Sequence, residues 1–262
     1  KDVTAVLQTL KEKNVSHDLF LAPTHEKVLQ VLEQADYLSQ KYHVVVANPP
    51  YMGNKNMENR LRTYLQENFS DYKSDLFSAF IVRNMNLVLE KGQLGFMTPF
   101  VWMFILSYEK LRTYIINNKT ITSLVQLEYS GFDGATVPIC TFTIENNYKS
   151  DFLAGYVKLS NFKGSDNQGP KTLEAIKNKT LEWFYRTSSD SFKKIPGNPI
   201  SFWITKEMTK VISNNKISEI GVSSPGIRTG KDAIFIRDWQ EVSINNIGLD
   251  ANNYEDIKKD GG

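Results

Sequence analysis

The chain is short of several things that define whole classes of protein. One cysteine, Cys140, stands among 262 residues, so no internal disulfide framework can form, and the expected setting is a reducing cytoplasm. Three histidines, His17, His25 and His43, show neither H-x-E nor H-x3-H spacing, and a single thiol cannot complete a zinc site. No uninterrupted apolar window of about 18 residues occurs, which argues against a membrane-spanning helix and a membrane partner. The opening Lys1-Asp2 lacks the basic-then-apolar run of a secretory signal. Neither sign of charge dominates: 31 basic against 29 acidic residues leave a net +2. That balance permits a local nucleic-acid patch without requiring one. Residues 1–47 contain no glycine at all. "SPGIRTGKD" (224–232) is no phosphate loop, because three residues separate its glycines where four are needed, and Asp232 follows Lys231. An apolar share of 41% with 23% charged residues fits a folded globular chain.

What is present is concentrated in "HVVVANPPYMG", residues 43–53. Val44, Val45, Val46 and Ala47 read as a short, fully buried strand of the parallel type, β-branched and without alternation. Pro49 and Pro50 then stop the ladder, since neither has an N–H to give. Asn48 and Tyr51 are thereby presented at the carboxyl end of a buried strand, the edge where open α/β sheets bind ligands. A side-chain amide offers a carbonyl acceptor at fixed planar geometry, and the Pro49 carbonyl is a second acceptor that no strand partner uses. Together they can accept both hydrogens of an exocyclic –NH2 and aim its lone pair at an electrophile. The ring of Tyr51 supplies a stacking surface for a planar substrate. This combination suits transfer of an alkyl group onto an aromatic amine. A plain turn is the alternative use of Asn-Pro, and the Val-rich strand before it with tyrosine after it favours the chemical reading.

Along the chain, residues 1–40 read as helical, from apolar spacing at Val6, Leu7 and Leu10 and again at Val28, Leu29, Val31 and Leu32. Asp75 to Glu90 repeats apolar residues at helical spacing, with Gly92 where a helix would stop. "QLGFMT" (93–98) reads as a strand ended by Pro99, residues 103–117 as a helix, and "ITSLVQLE" (121–128) and "PICTFTIE" (138–145) as two strands. The first ~145 residues therefore form an α/β layer pattern. Past Asn146 the character changes: 161–171 is a polar, glycine-bearing loop, and helices follow near 171–180 and 205–213. These shifts divide the chain into a helical segment 1–40, an α/β unit 41–150, and a region 151–262 of linker helices leading into something new. Near its end, Arg228, Lys231 and Arg237 interleave with Phe235 and Trp239. Such a cluster suits contacts to a DNA backbone, and a charged surface over a small core is the alternative.

"VVVANPPY" resembles motif IV of the amino-methylating DNA methyltransferases, the N6-adenine class that uses S-adenosylmethionine. The resemblance runs on through "SDLFSAFIVRNMNLVLEKGQLGFMTPFVWM" (74–103) and "YEKLRTYI" (108–115), and "VVVANPPYMGNKNM" is especially similar to the large adenine methyltransferases of BREX phage-defence systems. It implies a partial Rossmann-like methyltransferase sheet of about four core strands with flanking helices, then the start of a mixed target-recognition region. The strand order implied is 44–47, 93–98, 138–145, 121–128, with 44–47 exposed at one edge. Residues 1–40 would fold over that edge as helices, or two copies would pair through it.

By the same resemblance, Asn48 and Pro49 accept from the adenine amino group, Pro50 fixes the turn, and Tyr51 stacks on the flipped base. Phe132 matches a second stacking aromatic, a hairpin-tip residue packing on the core being its alternative. Asp36 and Tyr37 resemble the acidic-aromatic pair that contacts the cofactor, with Asn48 beside it; a solvated helix end is the other reading of Asp36. Lys55, Arg228, Lys231 and Arg237 would face double-stranded DNA. The family's glycine-rich cofactor loop has no counterpart before Asn48, so the chain reads as an internal fragment of a restriction–modification or phage-defence enzyme, inactive alone, with other defence-system proteins as further partners. A non-catalytic nucleic-acid or partner-binding module with this fold is the other reading. Related Asn-Pro-Pro-Tyr enzymes act on rRNA guanine or a protein glutamine amide.

Overall fold

The computed structural model describes residues 3–13, 15, 18–129, 131 and 137–214. In chain order the elements are α1 (Val3–Lys11), α2 (Leu21–Ser39), β1 (Tyr42–Ala47), α3 (Asn59–Asn68), α4 (Leu76–Met85), β2 (Val88–Pro99), α5 (Glu109–Asn118), β3 (Thr120–Gln126), β4 (Ile139–Glu145), β5 (Leu153–Lys158), α6 (Ser165–Lys177), β6 (Phe184–Ser188) and α7 (Lys206–Asn214). The strands form one mixed sheet in the order β1-β2-β4-β3-β5-β6. β1 runs parallel to β2, β4 is antiparallel to both β2 and β3, and β5 is parallel to β3. The four strands expected from the sequence therefore stand in the expected order, and β1, β2, β3 and β5 all end on the same side of the sheet.

Side-chain alternation divides the sheet into two unlike faces. One carries Val45, Ala47, Leu94, Phe96, Phe142, Ile144 and Leu124 and packs against Phe77, Ile81 and Met85 of α4 and Leu111 and Ile115 of α5. The ring of Trp102 closes this core 5.0 Å from that of Phe142. The other face is covered by α6 around Leu127, Ile139, Val157 and Leu159, but toward β1 it is bare: Val44 is 61% and Val46 76% exposed. The expectation of a fully buried 44–47 strand is thus corrected. A valine run suits two covered faces, and here it has a strand on one side only and helices on one face only.

The amino-terminal segment is helical as expected, yet it does not lie over β1. α1 and α2 pack on each other, joined by Lys11–Glu33 at 2.7 Å and by Thr4 donating to Asp36 at 2.6 Å. No residue of α2 is buried. Leu7 of α1 is buried, while Val28, Val31 and Leu38 of α2 stay exposed.

Three further boundaries differ from the sequence reading. Gly92 does not stop a helix. α4 ends at Met85, and Gly92 lies inside β2, opposite an irregularity where Tyr42 pairs with Val88 and Val44 with Gln93. A Cβ on Gly92 would sit 2.7 Å from the His43 carbonyl, which is why only glycine fits. The sheet also continues past residue 150 into β5 and β6, and part of the 161–171 loop is the first turn of α6. The helix expected from 103 begins only at Glu109, after 3-10 turns at Phe100–Met103 and Leu106–Tyr108. Buried Arg112 of α5 fixes this stretch by donating to the carbonyls of Trp102 (2.9 Å), Ile105 (2.7 Å) and Gly197 (2.7 and 2.9 Å). Among the described residues no helix is long and apolar enough to cross a membrane.

Candidate active site

β1 ends at Ala47, and the two prolines carry the chain out of the sheet as the strand pattern requires. Pro49 is buried, whereas Asn48 and Pro50 are exposed and Tyr51 is 38% exposed. The Tyr51 hydroxyl donates to Asn48 Oδ1 at 3.0 Å and reaches the Met97 carbonyl, near the end of β2, at 3.4 Å. The ring is thereby held across the carboxyl ends of two parallel strands. Burial pushes the Tyr51 phenol upward, aided by the nearby Cys140 thiol, so at neutral pH it is a hydrogen-bond donor. A carbonyl oxygen has two lone pairs; Tyr51 takes one of Asn48 Oδ1, and the other is available to a ligand. The Pro49 carbonyl receives no hydrogen bond from any described residue.

Past Tyr51 the chain is fixed by residues that sequence reading missed. Asp75, the N-cap of α4, accepts from Met52 N–H at 3.0 Å and from Phe77 N–H at 3.2 Å, both through Oδ1. Leu76 N–H donates to the Met52 carbonyl at 3.0 Å and Asn54 N–H to the Ser74 carbonyl at 3.1 Å. Desolvation pushes the Asp75 carboxyl above its usual range, opposed by the backbone N–H groups it accepts from. Arg62 of α3 donates to the carbonyls of Asn54 (3.2 Å) and Met57 (2.9 Å) and closes the loop that follows. An aspartate before an apolar helical run is a legible capping signal. Its bond to Met52, 23 residues away, has no local signature.

The other sequence-derived candidates fall into three groups. Lys55 is exposed on the 3-10 turn Asn54–Asn56, on the same loop as Tyr51. Asp36 and Tyr37 are not brought to Asn48: they sit on α2, which joins β1 at the end opposite Asn48, roughly 20 Å away along a six-residue strand. Asp36 is engaged there by Thr4 and, at 3.0 Å, by Gln40. Phe132, Arg228, Lys231 and Arg237 lie outside the described residues.

Comparison with known proteins bears on this geometry. Residues 6–132 match the family model described as Eco57I restriction-modification methylase. The chain is 33% identical over 246 residues to the adenine-specific methyltransferase BrxX of Escherichia coli O9:H4 (strain HS), covering 92% of this chain and 20% of that protein. It is 31% identical over 212 residues to the adenine-specific methyltransferase PglX of Lacticaseibacillus casei (strain Zhang), covering 79% of this chain and 18% of that protein. Among solved structures, the type I restriction-modification methyltransferase subunit from Streptococcus thermophilus aligns with a TM-score of 0.48 at 16% identity, covering 63% of this chain and 38% of that one. The chain spans about a fifth of the length of the two curated relatives. Residues 6–132 are thus similar to the Eco57I-type methylase domain of restriction–modification systems, and most of the chain is similar to the corresponding part of two adenine-specific methyltransferases.

Proposed function

We propose that this chain supplies the acceptor half of a site-specific DNA methyltransferase that modifies the N6 amino group of an adenine flipped out of duplex DNA, in phage defence or restriction–modification. The observation that carries this reading is the exposed Asn48 amide at the carboxyl end of β1, its Oδ1 held by the Tyr51 hydroxyl at 3.0 Å, followed directly by Pro49, whose carbonyl no described residue donates to. One amino hydrogen goes to Asn48 Oδ1 and the other to the Pro49 carbonyl, which leaves the nitrogen lone pair directed outward. Tyr51 stacks on the base and repays part of the few kcal/mol that unstacking costs. Phe132 is the second stacking surface, and Lys55, Arg228, Lys231 and Arg237 contact phosphates.

S-adenosylmethionine is the methyl donor of this class. We infer that residues 1–47, which hold no glycine, do not supply its glycine-rich cradle; Asp36 accepts from Thr4 and Gln40 at the far end of β1. The sequence-derived cofactor role of Asp36 and Tyr37 is accordingly weaker than that of Asn48.

Nucleoside mass spectrometry of duplex DNA incubated with the full-length enzyme and methyl-labelled cofactor tests the reading. Label in N6-methyladenine is the expected result. DNA that carries no label in N6-methyladenine would overturn it.

A further inference from the structure

Asp75 stands 24 residues beyond Tyr51 in the sequence and one residue from it in space, through Met52. The segment 52–54 runs antiparallel to 74–76, with Gly53 bridged to Asp75, Leu76 N–H on the Met52 carbonyl and Asn54 N–H on the Ser74 carbonyl. Only one oxygen of Asp75 makes the two decisive bonds: Oδ1 accepts from Met52 N–H at 3.0 Å and from Phe77 N–H at 3.2 Å. Phe77 is fully buried at the centre of the main core, 5.4 Å from the ring of Tyr108. The carboxylate therefore connects the first turn of a buried helix to the backbone directly after Tyr51. On its other side the turn is held by β1, which pairs with β2, and by the Tyr51 hydroxyl. Asn48 and Tyr51 are exposed and have little packing of their own, so their position is set by these two ends.

We propose that Asp75 is a positioning residue for methyl transfer, holding the Asn48–Tyr51 turn in the geometry in which the two carbonyl acceptors face one amino group. This inference rests on the proposed role of Asn48. It goes beyond helix capping, for a cap needs only the bond to Phe77, whereas positioning needs the bond to Met52. The two functions separate by side-chain length. A serine can cap the first turn of a helix but is too short to span to Met52. An asparagine keeps the Oδ1 acceptor and both bonds, without the charge.

The test uses the full-length enzyme with Asp75→Ala, Asp75→Ser and Asp75→Asn, measuring kcat, KM for DNA, KM for S-adenosylmethionine and thermal unfolding. Asp75→Ser should unfold close to wild type yet lose roughly tenfold to a hundredfold in kcat, with both KM values nearly unchanged, because misplacing a reacting group acts on the chemical step. Asp75→Ala should lose as much in kcat and also unfold earlier, and Asp75→Asn should restore most of the rate. Wild-type kcat in Asp75→Ser, a loss confined to KM, or an unfolding temperature for Asp75→Ser as low as that of Asp75→Ala would each overturn the proposal. Asn48→Ala, measured in parallel, separates the two layers. If Asn48→Ala is inactive while the Asp75 variants are fully active, the positioning role alone is lost. If Asn48→Ala is active, the reading of Asn48 falls and the positioning role falls with it.

Discussion

At the end of β1, strand, amide, two ladder-stopping prolines and ring are contiguous in the chain, so the turn carries its own geometry and no tertiary contact is needed to bring Asn48 and Tyr51 together. The structure adds the bond from the Tyr51 hydroxyl to Asn48 Oδ1 at 3.0 Å, which holds the amide in place. Tyr51→Phe removes that bond and keeps the ring. A neutral hydrogen bond is worth a net 0.5–1.5 kcal/mol or so, so the single-turnover rate should fall by about tenfold or less. Tyr51→Ala also removes the stacking surface, worth about 1–3 kcal/mol per base, and should be the more damaging of the two. Equal rates for the two variants would show that the ring does not stack on the substrate. Asp75 was only half legible, since its capping role follows from "SDLF" but its bond to Met52 depends on how the chain returns.

Elements with a strong period were read correctly in kind; the ends of β4 and α7 fall within a residue of expectation, and the end of α4 and the start of β2 do not. The run Leu76, Phe77, Phe80 and Ile81 announces α4, and "QLGFMT" announces β2, yet Gly92 reads from sequence as a helix stop because a glycine after an apolar helical run is the usual signal for one. What places it in β2 is the approach of the His43 carbonyl and of Val88 across the β1–β2 irregularity, each 2.7 Å from where a Cβ would sit. Gly92→Ala should therefore destabilise the protein by about 1–3 kcal/mol, read as a lower urea midpoint at unchanged slope. Gly53→Ala is the matched control: its nearest neighbour would be 3.8 Å away and its φ is −64°, so its midpoint should barely move. A Gly92→Ala midpoint equal to that of Gly53→Ala would contradict the close approach. β5 and β6 escaped sequence reading because each is short, six and five residues, and follows a change of composition that looked like a boundary. Arg112 escaped because the carbonyls it serves at Trp102 and Gly197 lie on different segments.

At the scale of the whole molecule, the sheet of the described residues ends in two edge strands, β6 and β1. Among those residues β6 pairs with β5 alone and β1 with β2 alone, and on β1 Val44 and Val46 are 61% and 76% exposed. The edge was foreseen from the expected strand order. The helices over it were not found: α1 and α2 pack on each other and leave Val44 and Val46 exposed. An open, apolar, β-branched edge invites pairing with another chain, so residues 1–262 in isolation should self-associate at micromolar concentration in sedimentation velocity, and Val46→Lys should shift them toward monomer. A wild-type chain that remains monomeric would show that this edge is protected by residues outside those described. The central claim is that Asn48, at the end of β1, holds the amino group that is methylated. Its most direct test is the single-turnover rate of N6-adenine methylation by the full-length enzyme carrying Asn48→Ala, at saturating DNA and cofactor. Loss of a preorganised hydrogen bond to a reacting group costs about 2.7–4 kcal/mol, so a fall on the order of a hundredfold or more is expected, with DNA binding retained. A rate within a few-fold of wild type would contradict it.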